Sequence, residues 1–355
     1  MTLKQKILFI PVSSKKGIGE YMRSTIIATF LVEQNPNVDI HFILNENAPY
    51  ISDCKFNVHL VSGTPTKCTE SVKEIIHEIK PSVVLFDASG RSEQYKYAKN
   101  LGARVAFISQ HPIKRTKGLS LRRIAHIDKH WVSQPEFTMT NLTLWQQVKL
   151  KIFNKPHPEY LGTLYMPLTE DSKMSTLQSY NVKANEYILI NAGSGGHKLN
   201  GKPAVDMFAE IARYIEETYQ FKTLVVYGAS YQQPIPTPTS MNLPIKSLSN
   251  SEFMALLSGA KAAMLSGGGS ILQAISLQVP SVAVPVAKDQ PNRIEGCVNK
   301  QLVIASEANI IAFKKAVDQL FNPKKYLELS KQLENVHLEN GVLIVVRQIN
   351  SWLSE

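Results

Sequence analysis

Residues 266–293, SGGGSILQAISLQVPSVAVPVAKDQPNR, decide how this chain is read. The triplet Gly267, Gly268, Gly269, flanked by Ser266 and Ser270, opens a segment with helical character. The strand-like run PSVAVPV follows, and Asp289 and Gln290 sit just beyond it. Amides at a glycine-rich helix start can hold a phosphate, because glycine lets the ligand approach and the helix N-terminus is electropositive. In open α/β sheets, ligand groups lie outside the carboxyl ends of strands, where the Asp-Gln pair falls. Glycine triplet, Gln273, strand and Asp-Gln in this order predict a nucleotide-sugar site. The plainer alternative is glycines that only let a helix pack close to a sheet, with a solvated Asp-Gln loop.

Outward from this stretch, continuous apolar runs alternate with amphipathic segments along the chain. KILFIPV, DIHFIL, SVVLFD, RVAFIS and KHWVS read as strands in the first half, and YILINA, KTLVVYG, AAMLS and SVAVPV in the second. Helices are expected near 20–34, 68–79, 91–101, 201–218, 251–258 and 269–277, and through 306–353. Such alternation means parallel sheets covered on both faces. A break rich in proline and polar residues near 155–185 divides two such sheets, and YQQPIPTPTSMNLP (231–244) reads as a local loop. The expected domains are 1–165 and 166–340, with a C-terminal helix over 341–355 that packs back on the first.

Two further glycine-rich turns follow strands. GIGE (Gly17, Gly19, Glu20) lacks the third glycine of the dinucleotide fingerprint, which argues against that ligand. Glu20 is either a dipole-stabilised cap or a general base facing an interdomain cleft. In NAGSGGHKLNGKP, residues Gly193, Ser194, Gly195 and Gly196 offer amides and a hydroxyl to phosphate oxygens, with His197 and Lys198 adjacent. An ordinary tight connection is the competing reading. His111, in SQHP after a strand end, is a minor candidate.

At 355 residues with 44% hydrophobic and 19% charged composition, the chain supports two domains with real cores. Cys54, Cys68 and Cys297 are spaced for neither zinc nor a disulfide framework, which fits a reducing compartment. There is no Asp-x-Asp triplet, HExxH or Walker loop. The apolar run ILFIPV is too short for a signal core or membrane span, so a cytoplasmic protein that touches a membrane only from one side is expected. The net charge of +10 suits an anionic partner or simple solubility. Residues 113–130, IKRTKGLSLRRIAHIDKH, hold Lys114, Arg115, Lys117, Arg122, Arg123 and Lys129 with His126 and His130 against Asp128 alone. With WQQVKLKIFNKPH at 145–157, this segment reads as interfacial on an anionic leaflet.

At these residues the chain resembles a family, the GT-B glycosyltransferases, most closely the MurG-type N-acetylglucosaminyltransferases. The resemblance spans nearly the whole chain. It rests on GIGEYMR, GARVAFISQH with the basic helix after it, AGSGGHKLN, LPIKSLSNSEFMALLSGAKAAMLSGGGS, and ISLQVPSVAVPV with Asp289-Gln290. It implies two Rossmann-like parallel-sheet domains facing a cleft, the acceptor on the first and the nucleotide sugar on the second. Gly193 to Gly196 and Ser266 to Ser270 would hold the donor diphosphate, the backbone near Ser247 and Leu248 would contact uracil, and Gln273 would lie at the ribose. Asp289 and Gln290 would bond sugar hydroxyls; Gly17, Gly19, Gln110 and His111 would lie on the acceptor side. No cofactor, metal or nucleic acid is implied, only a nucleotide sugar, expected to be a UDP-sugar.

Two departures stand out. The family's first loop ends Gly-Gly-His, where this chain has Glu20, and its ribose glutamate is here Gln273. Together they argue against the peptidoglycan enzyme itself. The expected activity is inverting, metal-independent hexosyl transfer to a cell-envelope glycan or lipid-linked acceptor, with Glu20 as base. Two alternatives are a nucleotide-sugar hydrolase similar to that of pseudaminic acid synthesis, and an inactive GT-B-like scaffold.

Overall fold

The computed structural model describes residues 4–12 and 19–355; Gly17 lies outside them. The described chain forms two compact units. The first holds residues up to Glu136, then Thr140–Leu164 and Glu339–Glu355; the second holds Phe137–Met139 and Tyr165–Leu338.

The N-terminal unit is built on β1 (Gln5–Pro11), β2 (Val38–Asn45), β3 (Asn57–Val61), β4 (Val83–Asp87), β5 (Arg104–Ser109), β6 (Lys129–Val132) and β7 (Glu159–Tyr160). Their order is β3-β2-β1-β4-β5-β6-β7 and every neighbouring pair is parallel. Its helices are α1 (Gly19–Gln34), α2 (Thr69–Ile79), α3 (Ser92–Asn100), α4 (Pro112–Gly118), α5 (Leu121–Ile124) and α6 (Leu144–Ile152). The central strands read as unbroken apolar runs because both faces are covered. VVLFD of β4 is buried at every position, the terminal Asp87 included.

The C-terminal unit repeats the plan with β8 (Tyr187–Asn191), a small hairpin of β9 (Lys198–Leu199) and β10 (Lys202–Pro203), β11 (Lys222–Val226), β12 (Asn242–Ile245), β13 (Ala262–Ser266), β14 (Ser281–Val284) and β15 (Ile304–Ala305). The main sheet is parallel in the order β12-β11-β8-β13-β14-β15. It is flanked by α7 (Glu170–Ser179), α8 (Ala204–Tyr219), α9 (Asn250–Gly259), α10 (Gly269–Ser276), α11 (Gln290–Asn299), α12 (Ile310–Phe321) and α13 (Pro323–Glu334). Helix α8 shows why they cover the sheet: Val205, Phe208, Ala212 and Ile215 recur at helical spacing and are all buried.

The last helix, α14 (Gly341–Ser354), belongs to the N-terminal unit, where it lies against α1. Gln5 Nε2 donates to Leu353 O at 2.6 Å, the rings of Trp131 and Trp352 stand 6.1 Å apart, and Gly341 N donates to Thr163 O at 2.8 Å. A Cβ on Gly341 would meet Leu161 O at 2.7 Å, so only glycine allows the helix to begin there.

The segment 306–353 is helical as expected, in three helices with a break at 335–340. One expectation changes. The tail of the proline-rich loop is the edge strand β12, which tolerates Pro244 because an edge position needs no donor on its outer side.

Candidate functional site

In a parallel sheet wound both ways from its first strand, the crevice at the point of reversal is where ligands collect. In the N-terminal unit that point lies between β1 and β4; in the C-terminal unit it lies between β8 and β13.

The N-terminal switch point gathers charge. Helix α1 begins at Gly19, carries Glu20 in its first turn, and presents Arg23 and Ser24 one turn on. Asp87 ends β4 and is fully buried. Arg23 Nε donates to Asp87 Oδ2 at 2.8 Å, Nη2 bonds Oδ1, and Ser24 Oγ donates to Oδ2 at 3.4 Å. With its amide oxygen turned to the guanidinium, Gln110 accepts from Arg23 Nη2 at 2.7 Å and Nη1 at 2.9 Å. The guanidinium is thus held on two sides, a fork geometry that Lys could not reproduce. Burial pushes the Asp87 carboxyl up to about 6, the Arg23 charge and hydrogen bond pull it back, and the nearby Glu20 charge adds to the rise. Asp87 is therefore mainly ionised at neutral pH and paired with Arg23.

Lys114 borders this cluster, donating to Ala88 O at 2.7 Å from α4. Burial lowers its pKa, as does Lys117, while Glu20 opposes them. Ala88 itself sits at φ +53°, left-handed backbone that is uncommon for a residue with a Cβ and that clusters at ligand sites. His111 occupies the N-cap position of α4. Glu20 is half-buried and makes no side-chain hydrogen bond among the described residues.

In the C-terminal unit the switch point brings two glycine-rich turns together. A Cβ on Gly193 would lie 3.4 Å from Ser266 Oγ. Asn191, the last residue of β8, shapes the first turn by accepting from Gly193 N at 2.9 Å. The glycines do not all serve one purpose. Gly195 has φ +86° and its Cβ would strike Tyr227 O at 2.4 Å; Gly228, across the contact, would strike Ser194 C at 2.2 Å. These two are required by loop packing. Gly267 is likewise confined, by Ile294 at 2.6 Å and Gln290 at 2.9 Å. Gly268 and Gly269 differ: a Cβ on Gly268 would come no closer than 3.7 Å to Ser266 Oγ, and one on Gly269 would meet nothing within 4 Å among the described residues. Neither has a positive φ.

The Asp-Gln pair splits in role. Gln290 is buried and its Oε1 accepts from Val286 N at 2.8 Å, while its Nε2 lies 3.9 Å from the Cβ position of Gly268. Asp289 is the N-cap residue of α11, largely exposed, with Arg293 Nη2 at 3.5 Å. Arg293 Nη1 also donates to Gly267 O at 2.7 Å and so braces the triplet. Gln273 is half-buried on α10, Ser270 Oγ donates weakly to Ser266 O at 3.4 Å, and Leu248 packs on the core edge. A Cβ on Gly196 would make only ordinary contacts, the nearest with Ser230 Cβ at 3.4 Å.

Sequence reasoning missed Asp87, Ser24, Lys114, Asn191 and Arg293. A signal existed for Asp87, since an acid ending the apolar run SVVLFD must fall at the ligand edge of a parallel sheet. Hollows of about 590 Å³ beside Leu177 and Tyr187, and about 750 Å³ beside Val303 and Lys325, touch neither switch point, so chemistry and not volume locates the site. Among the described residues no group of three His, Cys, Asp or Glu can hold a metal ion, and no helix is long and apolar enough to cross a membrane.

The basic segment 113–130 is mostly engaged internally. Arg115 is buried against Tyr160 Oη (2.8 Å) and Asn141 O (3.2 Å), Arg123 donates to Gly90 O (2.9 Å), and Lys129 pairs with Glu159 (2.9 Å). Only Lys117 and Arg122 of its six Lys and Arg side chains stand exposed.

This architecture is the two-domain α/β fold of the GT-B glycosyltransferases. The glycosyltransferase of kitacinnamycin superposes with a TM-score of 0.65 at 14% identity, over 99% of this chain and 100% of that one. CalG4, the calicheamicin glycosyltransferase, gives 0.65 at 13% identity over 100% and 99%. The UDP-GlcNAc 2-epimerase of Neisseria meningitidis, solved with UDP-GlcNAc bound, gives 0.60 at 13% over 98% and 100%. No protein-family model matches the chain, and no curated protein does.

Proposed function

We propose that the chain is an inverting, metal-independent glycosyltransferase that uses a UDP-sugar and acts on a cell-envelope glycan or lipid-linked acceptor, as a cytoplasmic protein associated peripherally with the membrane. The observation that carries the donor half is the pair Gly268 and Gly269: the fold needs glycine at neither, so the approach of a ligand explains them better than packing does. The diphosphate would lie on the amides at the start of α10 and beside Gly193 to Gly196, with Gln273 at the ribose. The Nε2 of Gln290, which makes no hydrogen bond among the described residues, and the largely exposed Asp289 carboxylate would take sugar hydroxyls.

In the reaction, Glu20 accepts the proton of an acceptor hydroxyl, whose oxygen forms a bond to the anomeric carbon as the bond to UDP breaks on the opposite face. The electron pair leaves with the diphosphate, where helix-end amides offset its charge without a metal. Arg23, braced by Asp87 and Gln110, is a fixed cation three residues on from Glu20 in α1.

Gly268→Val and Gly269→Val test the donor site. Both should fold with an unfolding temperature near that of the parent, since a Cβ on Gly268 would make only ordinary contacts and one on Gly269 would meet nothing within 4 Å among the described residues. Each should lose roughly tenfold or more in UDP-sugar affinity by calorimetry, about 1.4 kcal/mol. Unchanged affinity would return the triplet to a packing role.

A second reading is favoured by the likeness to a 2-epimerase bound to UDP-GlcNAc: chemistry on the UDP-sugar with no acceptor sugar. Conversion of UDP-GlcNAc to its 2-epimer without acceptor, and with no net UDP release, would favour it over transfer.

A further inference from the structure

Arg293 is held in a way that serves the fold poorly. Its side chain, on α11, is 14% exposed, and its Nε has no hydrogen-bond partner among the described residues. A buried donor without a partner and a charge drawn out of water both oppose folding. The ion pair offers little in return, because Asp289 Oδ2 stands 3.5 Å from Nη2 and the Asp289 side chain is largely exposed. A methionine would fill most of the same space without either cost.

What the guanidinium does hold is one peptide. Arg293 Nη1 donates to Gly267 O at 2.7 Å, a charge-assisted bond to a buried residue. The Gly267 N–H is fixed as well, donating to Val284 O at the end of β14 at 2.9 Å. In a trans peptide the carbonyl of one residue and the N–H of the next point in opposite directions. The bond to Gly267 O therefore aims the Gly268 N–H away from Arg293, and the positive charge polarises that amide into a stronger donor. Gly268 is the N-cap residue of α10, where N–H groups have no partner within the helix, and it is one of the two glycines open to close approach. We propose that Arg293 is a positioning residue for the donor diphosphate, which sets the direction and strength of the Gly268 amide without touching the ligand. Within the donor site proposed above, on which this role rests, it is a fixed cation behind the amides.

The test titrates UDP calorimetrically into the full chain and its variants. Arg293→Met should keep an unfolding temperature near the parent's, because an unpartnered donor leaves together with the bond to Gly267 O. It should nonetheless bind UDP roughly tenfold or more weakly. Arg293→Lys, whose single cation can still bond one acceptor, should stay within about threefold of the parent. Gly268→Val/Arg293→Met should fall no more than about threefold below Gly268→Val alone, since both changes act on one amide, whereas independent sites would multiply their losses. UDP affinity at the parent value in Arg293→Met, multiplied losses in the double variant, or a Lys variant as weak as the Met variant each overturns the proposal and leaves the donor site standing. Unfolding temperatures well below the parent's in both the Met and the Lys variants overturn it too, by making Arg293 a packing residue. A parent that does not bind UDP instead removes the donor site itself, and this role with it.

Discussion

Glu20→Gln is expected to lower kcat for sugar transfer by roughly 10²- to 10⁴-fold, the usual loss when a general base is removed. Gln has the same shape, so the acceptor should still bind and KM should change little. The fold should hardly notice, because Glu20 has no side-chain partner among the described residues. Loss of an acid from the first turn of α1 costs about 0.3–1 kcal/mol. UDP-sugar affinity should stay at the parent value, since Glu20 lies in the N-terminal unit and the donor turns in the other. Steady-state kinetics with calorimetry separate these terms. Full turnover in a folded Gln variant would remove Glu20 from the proton transfer.

Asp87→Ala is expected to have the largest effect on stability, about 3–5 kcal/mol, because it leaves the guanidinium of Arg23 at 12% exposure without its charge partner. Against the ordinary 5–15 kcal/mol of a folded domain, that is enough to compromise the N-terminal unit. Asp87→Asn keeps the shape and isolates the charge. The folded pKa of Asp87, about 6, lies above the 3.8 of an ordinary aspartate. Its contribution is therefore fully present below pH 3.8 and is lost as pH rises through 6. A rise of that size is worth about 3 kcal/mol, so ionised Asp87 is a net cost at neutral pH even beside Arg23.

His130 opposes it. Burial, followed by the Arg115 charge, pushes His130 down to about 3 from 6.5, so its contribution is lost as pH falls below 6.5. Between pH 7 and 5 the two act in opposite directions, each by about 1–2 kcal/mol. Urea midpoints at both pH values should show the parent gaining about 1–2 kcal/mol over Asp87→Asn on acidification. A difference that does not move with pH would mean that Asp87 titrates as it does in water.

How far each feature was legible depended on how local its cause is. VVLFD, YILIN, AAMLS and SVAV announce themselves because a strand covered on both faces must be apolar at every position. Edge strand β3, NVHLV, is partly exposed and alternates poorly, and it passes unnoticed. The segment 113–130 reads as free positive charge because composition cannot tell a solvated lysine from one bonded to a carbonyl. Helix α6 falls in the stretch 145–157 that reads as interfacial; which of its faces lies inside is not legible there, because composition and period alone do not say.

From sequence alone followed the alternation of strands and helices, hence two parallel sheets, and the glycine turns at strand ends, hence the places where ligands could lie. These are consequences of near-neighbour chemistry. The tertiary structure alone decided that Gly193 meets Ser266, that Asp87 closes on Arg23 and Gln110, and that only Gly268 and Gly269 of their triplet are free of packing duty. Those outcomes depend on which strands lie side by side, and strand order is set by the packing of whole units, which no local pattern contains.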